Sequence, residues 1–425
     1  MDTASIVPIA TAVLLAFFIL GMPIILCLGF WAAIVAFFGS SVPAISVGNG
    51  AYFGLQSFAL LAMPLFILTG DLVREGGIAQ QLIDLARAAL RRVPGRLPVA
   101  ALGASGMFSA ISGSNAATAA TIGRMMVPAM LKENATREYA GAVTAAGGTL
   151  GIMIPPSVML IVYGVLMNVS PSTLFLAALI PGLLMLTTMI IITVIIGKRL
   201  RLNQDEKEDT NVSTLSAAWK AKNGFGAILI GLGGIYGGIF SPTEAAGAAA
   251  AYCLVAGLLF TRELRPSRLG SILVASGSVA GLIAPIIAFA VVVQESLVML
   301  GLQETIWEAI RSVAAGQSGI LVLAMVSVLV AGCLLESIPC IIILAPIFGP
   351  LAVEAGVDPI HFAIVFVMGS TLGFITPPYG LNLFVVSGVT GAPIMKISKA
   401  IMPYLAGLIV MWIVTATIPA LTTLW

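Results

Sequence analysis

The sequence predicts an all-α polytopic membrane protein built from two inverted repeats, each with a re-entrant helical hairpin and a broken transmembrane helix. Three observations carry that expectation. Hydrophobic residues make up 59% of the chain and charged residues 9%, so there are too few polar side chains to cover a soluble globule. Basic residues cluster at both ends of residues 98–131, about 50 Å of helix set against a hydrocarbon core roughly 30 Å thick, so this run returns to its own side. A match without gaps, at a shift of 222 positions, lays GGTLGIMIPPS (147–157) over GSTLGFITPPY (369–379).

Residues 1–57 are expected to form N-terminal scaffold helices; 5–38 hold Gly21 and Pro23 and no basic residue, which fits one long bent helix or two short ones. The lead MDTASIVPIATAVLL lacks a charged n-region, so no signal peptide is expected. Residues 58–197 make the first repeat. In it, IAQQLIDLARAALRR (78–92) separates apolar from charged faces, as an arm lying along the membrane surface does. The hairpin 98–131 turns at SAISGSNAAT (109–118), where glycine and small polar residues allow a tip, and is followed by a broken helix, 139–166, and a span, 172–197. A charged cytoplasmic linker, 198–223, and connecting helices, 224–268, lead to the second repeat, 269–425. That repeat holds an arm (LQETIWEAIRSVA, 302–314), a hairpin (319–353), a broken helix (360–390) and a last helix. Its hairpin has acidic flanks, Glu295, Glu304 and Glu308 before and Glu354 and Asp358 after, so the second copy enters from the opposite side.

Several function classes fall away. A net charge of +2, with basic residues confined to loops, leaves no face for nucleic acid. Cys27, Cys253, Cys333 and Cys340 lie in apolar runs and are expected to behave as small hydrophobes, and the lone His361 has no second ligand for a transition metal. With no grouped nucleophile and base and no phosphate-cradling loop, neither an enzyme nor ATP hydrolysis is expected, and no cofactor is implied.

The proline pairs Pro155-Pro156 and Pro377-Pro378 remove backbone donors and bar the residue before them from helical geometry, so both helices break within the bilayer. Unwound backbone at that depth is tolerated only inside protein or along a wet cavity. Inverted repeats with broken helices are the architecture of secondary transporters, and freed carbonyls with tip oxygens suit sodium. One sodium site is expected between Ser112, Gly113, Ser114 and Asn115 and the break at Gly148, Thr149, Ile154 and Pro155. Its repeat partner is expected between the tip around Glu336 and Ser337 and the break at Gly373, Thr376 and Pro377. An anionic substrate is expected at Ser114, Asn115, Pro339 and Asn382, where positive half-helix ends favour a carboxylate. Arg124 adds a carboxylate clamp only if it turns inward instead of snorkelling to the cytoplasmic side. Glu244 and Glu336 are the ionisable residues expected at membrane depth, although Glu244, in SPTEAAG, also reads as a helix cap.

Four stretches, FSAISGSNAATAATIGRMMVPAM, GGTLGIMIPPSVMLIVYGVL, IFSPTEAAGAA and GFITPPYGLNLFVVSGV, occur in this order. Together they resemble the large membrane subunit (M subunit) of tripartite ATP-independent periplasmic (TRAP) transporters, over essentially the whole chain. The resemblance implies sodium-driven uptake of an organic acid of the sialic acid or C4-dicarboxylate class, by an elevator movement in the bacterial inner membrane. It also implies two partners, a periplasmic substrate-binding protein and a smaller four-helix membrane subunit. Because the chain begins almost directly with the large subunit's first helix, that subunit is expected as a separate polypeptide. One departure is the second tip, LESIPC, where relatives more often show Met-Glu-Pro. A stand-alone sodium–carboxylate symporter, needing neither partner, shares the architecture and is the alternative.

Overall fold

The structure, a computed structural model, describes residues 3–38, 43–200, 213–314 and 316–423. Among them, six helices are long and apolar enough to cross a membrane, or eight if each of two bent pairs is one span, and there is no strand. Residues 201–212, the centre of the expected linker 198–223, lie outside the described residues.

At the N-terminus the two-helix alternative holds: Thr3–Ile19 and Ile24–Phe38 pack on each other across a turn at Gly21. Ile24–Phe38 leans on the long helix Pro266–Met299, which also packs on Ala44–Leu55. Pro242–Val255 lies along Ala62–Glu75. Its start is fixed by a capping box, with the Ser241 amide and hydroxyl donating to Glu244 Oε2 at 2.8 Å each, so Glu244 caps a helix.

The internal repeat is visible in the elements. Adding 222 to the bounds of Asn115–Lys132 gives Ser337–Glu354, and the helices before them, Arg96–Ser112 and Gly316–Leu334, end in the same register. Each pair is a hairpin. The outgoing helix of each packs on the first half of its own repeat's broken helix, Arg137–Gly148 or Pro359–Gly373. The return helices touch both repeats: Asn115–Lys132 packs on Arg137–Gly148 of its own and Leu381–Thr390 of the second, and Ser337–Glu354 on Pro359–Gly373 of its own and Val158–Leu166 of the first. Every hairpin is therefore gripped by both broken helices.

This interlock buries the first break and part of the second. The helices that lead into them are buried from Tyr139 to Gly148 and from His361 to Gly373, and the first break is buried throughout 149–157, whereas the second leaves Pro378 and Tyr379 exposed. Both proline pairs, Pro155-Pro156 and Pro377-Pro378, are cis. His361 is satisfied inside the fold, with Nδ1 2.8 Å from Thr422 Oγ1 and Nε2 3.2 Å from the Ala416 carbonyl.

The arms occupy corresponding places with different cover. Ile78–Leu90 buries Ile78, Leu82 and Ile83 against Arg96–Ser112 and Thr214–Lys220. Leu302–Val313 buries no residue fully; Trp307 and Ile310 pack half-buried on the core, Trp307 Nε1 donates to the Ile347 carbonyl at 3.0 Å, and Arg311 reaches Glu354 at 2.6 Å in the open.

Candidate functional site at the two hairpin tips

The first tip is built by three residues in succession. Ser112 ends a helix, Gly113 takes the left-handed conformation (φ +61°) that releases the chain, and Ser114, extended, caps the next helix by accepting from the Ala117 amide at 3.4 Å. Gly113 sits so close to the break that a methyl group on it would fall 2.9 Å from the Pro156 carbonyl, with Ser157 beside it. Gly151 faces the Ser114 carbonyl, and any side chain there would overlap it. A methyl on Gly148 would lie 2.7 Å from Asn382 Nδ2 and 3.2 Å from the Asn115 carbonyl. Asn115, Gly148 and Asn382 thus converge, although Asn382 comes from the other repeat.

Hydrogen bonding at this tip is incomplete. The Asn382 amide donates to the Ala145 carbonyl at 3.1 Å, but its buried Oδ1 has no partner among the described residues. Asn115, 2% exposed, has no partner there for either side-chain atom. The neighbouring hydroxyls are engaged locally, Ser112 with Thr118 Oγ1 at 3.0 Å and Thr149 donating to the Ala146 carbonyl at 2.6 Å. Ile154 packs on Gly106 and Gly182, so Gly113 meets Pro156 and Ser157 rather than the expected Ile154-Pro155.

At the second tip the return helix starts at Ser337, after an extended, exposed Glu336. Ser337 is fully buried and its hydroxyl is unpaired among the described residues; Pro339 is buried beside it. Asn115 and Ser337 occupy one position of the repeat, the first residue of the return helix, where the helix dipole is positive. The outgoing helix meets the second break through Gly332, which abuts Gly373, and through Cys333, whose Sγ donates to the Thr376 carbonyl at 3.2 Å and lies 3.6 Å from that of Pro377. Thr376 turns its own hydroxyl back to the Leu372 carbonyl at 2.8 Å.

Residues 11–421 match the family described as Tripartite ATP-independent periplasmic transporter, DctM component. The chain belongs to this family. It is 35% identical over 406 residues to the isethionate TRAP transporter permease protein DctMQ of Oleidesulfovibrio alaskensis, covering 95% of this chain and 64% of that relative's length. It is 36% identical over 367 residues to the C4-dicarboxylate TRAP transporter large permease protein DctM of Pseudomonas aeruginosa, covering 86% of each. Among solved structures, the Alcanivorax borkumensis YdaH transporter, described as having an unusual topology, shares the fold with a TM-score of 0.63 at 15% identity, over 88% of this chain and 87% of that one. A DctM-family chain is an integral inner-membrane protein and not an enzyme.

Within this DctM-family chain one expectation changes and one alternative is decided. Cys27, Cys253 and Cys340 are buried as small hydrophobes, but Cys333 is only half-buried and its Sγ faces the Pro377 carbonyl and that of Thr376, which also accepts from the Gly380 amide. A usable signal was its place, three residues before Glu336 on the tip. For Glu244 the cap alternative is the one that the structure shows. Arg124 lies exposed along a cleft beside the first hairpin.

Proposed function

We propose that the chain is the large membrane subunit of a sodium-driven importer of an organic acid of the C4-dicarboxylate or sialic acid class. Substrate arrives on a periplasmic substrate-binding protein, and a small four-helix membrane subunit completes the complex. Sodium is the coupling ion and no cofactor is invoked. The observation that carries this reading is the pair Asn115 and Ser337, buried with unpaired polar atoms at equivalent tip positions. An unsatisfied buried polar group costs about 1–3 kcal/mol, so its occurrence at both tips argues for ligands there.

Oxygens of Asn115, Ser337 and Asn382 and the carbonyls freed at both breaks supply hard donors for sodium. The Asn115 side-chain amide and the positive end of its helix suit one carboxylate of a substrate lying toward Ser114, Asn382 and Pro339. Interlocking of both hairpins with both broken helices supports alternating access by an elevator, in which that body moves as one unit past the helices around it.

The test is uptake of labelled succinate and sialic acid into proteoliposomes holding this chain and its small subunit, with an inward sodium gradient, with and without the binding protein. Uptake that needs both sodium and the binding protein is the expected result. Uptake without the binding protein would make the chain a stand-alone symporter, and uptake indifferent to sodium would remove the coupling ion.

A further inference from the structure

Between the return helix of the first hairpin and Leu381–Thr390 lies an open cleft of about 490 Å³, lined by Ala120, Arg124, Pro128, Val385, Gly388 and Val389. Ala120, Arg124 and Pro128 recur every fourth residue and so share one helix face. The opposite wall, carrying Gly388, has open space where a Cβ would stand. Arg124 is exposed in this cleft and makes no hydrogen bond or ion pair among the described residues. Pro128 also lacks the N–H that would close the helical bond to the Arg124 carbonyl, so the cleft carries a free acceptor as well as a free cation.

Position gives the cleft a direction. Arg124 lies nine residues beyond Asn115, about 13 Å along the helix, and Gly388 lies six beyond Asn382, about 9 Å along the other. The far ends of these helices meet at the basic side, where a methyl on Gly391 would fall 3.2 Å from Arg137 Nη1. The cleft spans residues 120–128 and 385–389, between the Asn115 and Asn382 ends of these helices and the side of Lys132 and Arg137, and Arg124 is the one charged residue lining it among the described residues. An exposed guanidinium without a protein partner is open to an anion or water.

We propose that Arg124 is an anion-binding residue on the inner exit path, receiving a carboxylate of the organic acid after it leaves the first tip. This rests on the transport reading above and adds to it a residue that selects for negative charge. A bidentate guanidinium–carboxylate pair is the geometry an arginine favours.

The test places a thiol in the cleft by Gly388→Cys in the full chain, reconstituted in phosphatidylcholine vesicles. Its rate of modification by anionic sulfonatoethyl and cationic trimethylammonium-ethyl thiosulfonates is measured, and the background from Cys333 is subtracted with the parent chain. With Arg124 present the anionic-to-cationic rate ratio is expected to be roughly tenfold higher than in Arg124→Gln, a difference of about 1.4 kcal/mol, and Arg124→Lys keeps it. Millimolar succinate or sialic acid is expected to slow modification at least about twofold with Arg124 and not in Arg124→Gln, as a carboxylate held at that charge requires. A ratio unmoved by Arg124→Gln overturns the proposal, as does protection that appears only in phosphatidylglycerol vesicles and ignores the acid, which would assign Arg124 to lipid phosphate. Labelling needs no transport, so a charge-selective cleft in a chain without sodium-coupled uptake would sink the transport reading alone.

Discussion

The helix leading into the first repeat's arm is bent by 59° between Ile45–Leu55, which precedes the expected repeat boundary, and Phe58–Glu75, whereas the corresponding stretch before the second arm is one unbroken helix, Pro266–Met299. The arms differ in the same sense: Ile78–Leu90 is buried along one face, and Leu302–Val313 is buried nowhere. So do the ties that close the hairpins. Arg96 Nε meets Glu133 at 3.0 Å with both side chains about 10% exposed (11% and 10%), while Arg311 pairs with Glu304 and Glu354 in the open. What differs is the cover, not the copied elements. Thr214–Lys220 and Pro242–Val255 wall in the first repeat, and the second keeps Val274, Leu282 and Val313 about 70% exposed or more (70%, 69% and 79%), toward lipid or a partner subunit. A duplicated topology thus stays symmetric at its interlocked centre and diverges where neighbours differ.

The sharpest way to break that comparison is at the hairpin closures. Arg96→Ala removes a guanidinium that holds Glu133 in a mostly buried site and is expected to cost about 3–5 kcal/mol in thermal unfolding of the solubilised chain, while Arg311→Ala leaves the midpoint unchanged. Equal losses would mean that both closures are equally dry. Next come the arms: Leu82→Ala, at 0% exposure, should cost about 2–5 kcal/mol, and Ile310→Ala well under half of that. If the small subunit restored a large penalty to Ile310→Ala, the open arm would be its seat.

Symmetry at the centre is tested by Gly151→Ala and Gly373→Ala, each of which drives a methyl into backbone of the facing hairpin; both should lose about 1–3 kcal/mol, by similar amounts. The smallest expected effect sharpens the comparison of the tips. Asn115→Ala should raise the sodium concentration for half-maximal uptake about tenfold, or 1.4 kcal/mol, and Ser337→Ala by less, since it removes a single oxygen. A sodium dependence unchanged by both would leave the tips without the ion.

Much of the site was legible because its residues are there for backbone reasons. Gly113 between two serines announces a chain reversal inside an apolar run, and paired prolines announce a break, whatever packs around them. Less was legible where the determinant was a neighbour. Nothing in Gln56-Ser57 resembles a bend signal, and that turn follows from the helices on either side of it. Cys333 reads as one more apolar residue until the carbonyls of Thr376 and Pro377 stand before it.

The sequence by itself determined the membrane class, the two repeats at a shift of 222, the positions of tips and breaks, and the amphipathic arms, because composition, periodicity and the lost donors of proline act locally. Only the tertiary structure decided that the return helices bridge the two repeats, that Asn382 joins Asn115 at the first tip, that one arm is covered and the other is not, and that Arg124 stands unpaired in an open cleft. Those outcomes depend on which surfaces meet across hundreds of residues, and the pattern along one helix names its apolar face without naming what covers it.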